Sequence, residues 1–105
     1  MRKLIIRQFG GPDIAEVSLN AAGQLQLTAL APELEGELRA MLGRLSAGPL
    51  PLRTGQRVRT PKGIAHQTVI RQVSPLDPDF LRALSDALTR ERIGGQRVRG
   101  VLMEE

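Results

Sequence analysis

The chain has no cysteine, no tryptophan and no tyrosine, and Phe9 and Phe80 are its only aromatic residues. Without cysteine there can be no disulfide, thiolate nucleophile, zinc finger or iron–sulfur cluster, and a reducing cytoplasm is the expected compartment. With so few aromatics the core must be built from Leu, Ile, Val, Ala and three Met. No aromatic falls in the segments "QRVRT" and "RVRGVLM", which lack the usual platform for stacking unpaired bases. Long apolar runs are missing too. Nothing approaches the roughly 18 residues of a membrane span, and "LII" near the start is too short for a signal-peptide core and is followed by Arg7. It reads as a strand, and no membrane partner is expected.

What is present suits a small folded unit. A length of 105 residues predicts a single domain over 1–105, and 41% hydrophobic with 25% charged residues is enough to bury a core. Fifteen basic residues against eleven acidic ones give a net charge of +4, which fits an anionic partner such as nucleic acid. Only Lys3 and Lys62 of the fifteen are lysine. Arginine is the better phosphate fork, although an arginine bias alongside abundant Ala, Gly, Pro and Leu is also what a GC-rich genome writes.

Alternation and turn chemistry divide the chain. "RKLIIRQF", "IAEVSL" and "QLQLTAL" read as three strands of a meander, joined at "GGPD" and "NAAG". In "APELEGELRAMLGRL", Pro32 suits the first helical position, and Leu34, Leu38, Met41, Leu42 and Leu45 form one apolar stripe. "SAGPLPLRTG" reads as a loop. "QRVRT", "PKG" and "IAHQTVIRQV" read as a hairpin. A second helix is expected in "SPLDPDFLRALSDALTRERI", with Asp77 as cap, Pro78 first in the helix, and Phe80, Leu81, Leu84, Ala87 and Leu88 buried. Gly94 and Gly95 are read as its stop. "RVRGVLM" is a last strand, with "EE" fraying into solvent.

The hexapeptides "GQRVRT" at 55–60 and "GQRVRG" at 95–100 nearly repeat each other. A shift of 46 positions also superposes Leu30 on Leu76, Pro32 on Pro78, Leu38 on Leu84 and Leu42 on Leu88. Each half reads strand, helix, strand. The fold class is therefore α+β: a two-layer, mostly antiparallel sheet with two helices on one face, in the order β-β-β-α-β-β-α-β. One arrangement is the ferredoxin-like βαββαβ plan with an extra N-terminal hairpin, which puts both repeat strands at sheet edges. The other is a sheet led by the N-terminal meander.

Candidate functional residues are basic. Arg57, Arg59, Arg97 and Arg99 flank the repeat valines, and Arg53, Lys62 and Arg71 join them if they face the same way. Such residues either grip phosphates or keep sheet edges from pairing. His66, the only histidine, has no acidic or histidine neighbour two residues away and reads as a partly exposed structural residue. Asp77, Asp79 and Asp86 read as helix-start and surface residues rather than metal ligands, and Glu33, Glu35 and Glu37 as a solvated acidic turn. Neither glycine pair precedes a helix as a phosphate-cradling loop does. No catalytic constellation, metal set or cofactor loop is recognisable. Two functions are expected. The first is a non-enzymatic basic interaction module that binds a protein partner or a second copy through sheet edges or the N-terminal hairpin. The alternative is a sequence-nonspecific nucleic-acid binder that grips the backbone.

Overall fold

The computed structural model describes residues 2–104. The elements are β1 (Arg2–Gln8), β2 (Asp13–Leu19), β3 (Leu25–Ala29), a 3-10 turn (Pro32–Leu34), α1 (Glu35–Leu45), β4 (Leu50–Thr60), β5 (Gly63–Val73), α2 (Phe80–Leu88), β6 (Arg92–Ile93) and β7 (Gln96–Glu104). This is the expected α+β order, with the two-residue β6 added before the last strand.

Five strands form an antiparallel sheet in the order β3-β2-β1-β7-β6, and β4 with β5 forms a separate two-stranded sheet. The ferredoxin-like strand arrangement is absent. β1 is paired on one side by β2 and on the other by β7 along its whole length, so the long hairpin finds no edge there to join. Opposed residues of antiparallel strands share a face. Leu4 lies between Val17 and Leu102, and Ile6 between Ala15 and Gly100. These side chains meet Leu38, Met41 and Leu42 of α1 and Leu81, Leu84 and Leu88 of α2 in one aliphatic core, so both helices cover the same face. Each such side chain, fully buried, contributes about 1.5–3 kcal/mol of hydrophobic transfer.

A β-bulge explains one irregularity in that core. Ile6 opposes Ala15 but Arg7 opposes Asp13, which leaves Ile14 as the extra residue of β2. Ile14 and Ala15 are both buried as a result, and the Ile14 carbonyl accepts the N–H of Leu30 at 2.9 Å where β3 leads into the 3-10 turn.

β4 begins at Leu50, earlier than its alternating pattern suggests, because β5 supplies a partner for every residue from Leu50↔Val73 to Thr60↔Gly63. Pro51 is tolerated because the other edge of β4 pairs with nothing, so its missing N–H breaks no ladder bond. Only the base of this hairpin is anchored: Leu52 and Val73 pack on Phe80 and Ala83 of α2. From Arg53 to Gln72 no residue is buried. The hairpin stands out as an arm. The molecule measures 56 × 33 × 26 Å with a radius of gyration of 15.6 Å, against about 13 Å for a compact chain of this length.

The ends of α2 differ from expectation. Asp77 accepts the Asp79 N–H at 2.8 Å, capping a turn, and the helix itself starts at Phe80 rather than Pro78. It ends where the Thr89 hydroxyl donates to the Asp86 carbonyl at 2.7 Å. Gly94 and Gly95 are not its stop. With φ of 62° and 77° they form the two-residue turn between β6 and β7, where a tight hairpin needs positive φ at both positions. Glu104 is ordered in β7 and pairs with Arg2 at 2.9 Å, while the expected fraying of Glu105 lies outside the described residues. No helix is long and apolar enough to cross a membrane, among the described residues.

Candidate functional site

The two copies of "GQRVR" occupy unlike places. The first runs through the middle of the arm, where Val58 is half exposed, and the second opens β7, where Val98 is buried in the core. Their arginines therefore lie in two different sheets. The last letter differs for a local reason. Gly100 sits under α2, with Ser85 donating to its carbonyl at 3.2 Å, whereas Thr60 at the arm tip donates its hydroxyl to the Gly63 carbonyl at 2.9 Å.

On the arm, strand alternation puts Arg53, Arg57 and Arg59 on one face, and Lys62 lies in the tip turn. Directly across from the three arginines stand Ile70, His66 and Ile64. The face thus has a cationic rail along β4 and, along β5, a mixed rail of Ile64, His66, Thr68 and Ile70, with Ile64 64% and Ile70 56% exposed. His66 is exposed beside Arg57. Residues 50–73 contain five basic side chains and no acidic one, which exceeds the whole chain's net charge of +4.

Arg71 is not part of this face. It opposes Leu52, so it turns toward α2, where its guanidinium binds Asp77 at 2.9 Å and Asp79 at 2.6 Å. These hydrogen bonds, the Asp77 one foremost, raise the pKa of Arg71 above its ordinary value. Asp77 is pushed the other way: the Asp79 N–H first, then the Arg71 guanidinium, lower its pKa. Arg71 is a strut holding the arm's base. Arg53, Arg57, Arg59 and Lys62 have no carboxylate partner among the described residues.

Arg97 and Arg99 lie on the opposite side of the molecule's main layer, on the sheet face that the helices leave open. Arg97 opposes Arg92 of β6, and Arg99 opposes Arg7 of β1. Arg7 is neutralised by Asp13 at 2.6 Å, a pairing the bulge creates, while Arg92, Arg97 and Arg99 have no carboxylate partner among the described residues. The Phe9 N–H donates to the Arg97 carbonyl at 2.8 Å, which continues the β1–β7 ladder by one residue and sets Phe9 beside Arg97. Phe9 is 69% exposed.

The seven basic residues singled out by sequence thus divide: four on the arm face and tip, two on the open sheet face, and Arg71 tied to aspartates. Sequence reasoning missed Arg7, Arg92 and Phe9. Their sole signal is the cross-strand register, which no local pattern carries. A depression between β3 and α1, of about 360 Å³, is lined mainly by Leu, Gly and small polar residues around Arg39. No protein-family model, curated protein or solved structure matches the chain.

Proposed function

We propose that the protein is a sequence-nonspecific nucleic-acid binder that grips the sugar-phosphate backbone with its β4–β5 arm. The observation that carries this reading is the single-signed charge of the arm: four cations without carboxylate partners among the described residues, on one face and its tip, and no acidic residue from 50 to 73. A polyanion is the partner for which such a surface loses nothing to internal neutralisation. Arg57 and Arg59 stand two residues apart, about 7 Å along the strand, and a two-stranded ribbon is narrow enough to enter a major groove about 12 Å wide. Guanidinium groups on phosphates fix position without reading bases, so little sequence preference follows.

The test is binding of a random-sequence duplex as a function of salt. Four phosphate contacts give a log–log slope of about −3.6, so affinity drops roughly a hundredfold between 50 and 200 mM salt. The double variant R57A/R59A should flatten the slope by about 2. Absence of duplex binding at about 50 mM salt, or a variant slope equal to that of the parent, removes this reading.

A second reading, self-association as an interaction module, draws on one feature. Beyond Arg97, β7 pairs only with β1 among the described residues, and no strand covers its other edge, although the Ser85 hydroxyl of α2 already takes the Gly100 carbonyl there. The N-terminal hairpin offers no such edge on β1, since both sides of that strand are paired. Light scattering separates the readings: a defined dimer supports self-association, and a monomer at all concentrations counts against it.

A further inference from the structure

We propose that the open face of the main sheet carries a second site, built from Phe9, Arg92, Arg97 and Arg99, which takes the unpaired nucleotides of single-stranded nucleic acid. This site is on a different surface from the arm and stands or falls independently of it.

The register builds the site from three non-adjacent segments. Phe9, just past the end of β1, forms one row with Arg97 of β7 and Arg92 of β6, because Phe9 meets Arg97 through its backbone hydrogen bond and Arg97 opposes Arg92. The next row holds Arg7 and Arg99. Neighbouring strands are about 4.8 Å apart and alternate residues about 6.7 Å, so the patch spans roughly 10 by 7 Å, the footprint of one or two nucleotides. Val98 and Ile93, the neighbours in sequence, are buried on the other face, so the intervening arginines face solvent. Phe9 is held at its backbone while its ring is largely free.

The chemistry of the patch fits both parts of a nucleotide. An exposed aromatic ring stacks any base through its π face, and guanidinium groups take up phosphate or stack on a further base. Asp13 is held by Arg7 and the Glu37 carboxylate accepts the Gly94 N–H of the β6–β7 turn, so Arg92, Arg97 and Arg99, without a carboxylate partner among the described residues, remain for an anion. In a duplex the base faces are occupied by their neighbours, and a single exposed Phe finds no partner. The ligand is therefore a single strand.

The experiment uses the full chain at about 50 mM salt with two probes of equal length and charge, a labelled oligo(dT) and an abasic oligonucleotide. The parent protein should bind oligo(dT) more tightly, and Phe9→Ala should weaken oligo(dT) about tenfold while leaving the abasic probe unchanged. R92A/R97A should weaken both probes, and R57A/R59A should not alter the ratio between them. Phe9→Trp should restore the preference; as the chain has no other Trp or Tyr, its indole fluorescence should be quenched on adding oligo(dT). Equal binding of the two probes by the parent, no binding of oligo(dT), or an unchanged oligo(dT) affinity in a folded Phe9→Ala protein overturns the proposal. Duplex binding through the arm is scored separately, so loss of one reading is not loss of the other.

Discussion

Gly100 lies beneath α2, where there is no room for a side chain. A Cβ there would come within 2.8 Å of Leu4 Cδ1 and Ser85 Oγ and 3.1 Å of the Ser85 Cα, so the helix would have to lift. Gly100→Ala should cost about 1–3 kcal/mol, read as a lower urea midpoint. The first glycines of the two repeats make the contrast. Gly95, at φ 77°, is in the left-handed region, and Gly95→Ala should cost about 1–2 kcal/mol. Gly55 has extended backbone and nothing within 4 Å of a built Cβ, so Gly55→Ala should leave the midpoint unchanged. The same letter of the repeat then gives two outcomes, because what a glycine does is set by its dihedrals and neighbours. A charge at this scale gives a pH dependence. Asp77 is held below its ordinary pKa by the Asp79 N–H and Arg71, so its contribution to stability is full above the unfolded-state value and is lost as pH falls through the depressed folded one. The stability gap between parent and Asp77→Asn should therefore be present at pH 7 and close in strong acid, as followed by denaturant midpoints at each pH.

Among the elements, the arm is the least supported. A two-stranded ribbon is marginally stable by itself, and only Leu50, Leu52 and Val73 tie this one to apolar clusters. Amides from Thr54 to Ile70 should exchange with deuterium within seconds, while those of β1 and β7 persist toward the global limit, as hydrogen-exchange mass spectrometry would show. Slow exchange along the whole arm would mean that something beyond its base supports it. The alternation in "RVRTPKGIAHQTV" made the hairpin legible and set Arg57 and Arg59 on one face, whereas Arg53 joined them only through the register with β5. Its length was hidden by Pro51 and Gly55, which locally signal a loop and become strand only because β5 supplies partners opposite. The Gly94–Gly95 pair misled for the same kind of reason: a helix stop and a tight hairpin both need positive φ, and the choice depends on β6 meeting β7. Helix stripes were legible because their spacing is local, whereas the Phe9–Arg97–Arg92 row joins residues 88 positions apart in sequence.

At the scale of the whole molecule, charge is segregated rather than merely positive. Outside residues 50–73 the chain has ten basic and eleven acidic residues, so the body is close to neutral and the excess stands on the arm. Most body cations are used up locally, in pairs such as Arg39 with Glu35, Arg44 with Glu91 and Arg2 with Glu104. Net charge alone therefore predicts the wrong thing about binding, and two variants with the same net charge test the point. R57A/R59A/K62A removes three of the arm's five cations, whereas R39A/R82A/R90A removes as many exposed charges from the two helices and the turn after α2. Both lower the formal charge by the same amount. If a polyanion is gripped by the arm, the first variant should lose duplex affinity by more than about tenfold at low salt and flatten the salt dependence by nearly three contacts' worth, while the second changes affinity by less than about threefold. Long-range attraction adds to the asymmetry: cations at the tip of an arm meet an approaching polyanion before the body does, so the first variant should also associate more slowly in stopped-flow measurements. Equal losses in the two variants would show that the protein responds to a diffuse positive field, and the arm would then be only one contributor among its surfaces.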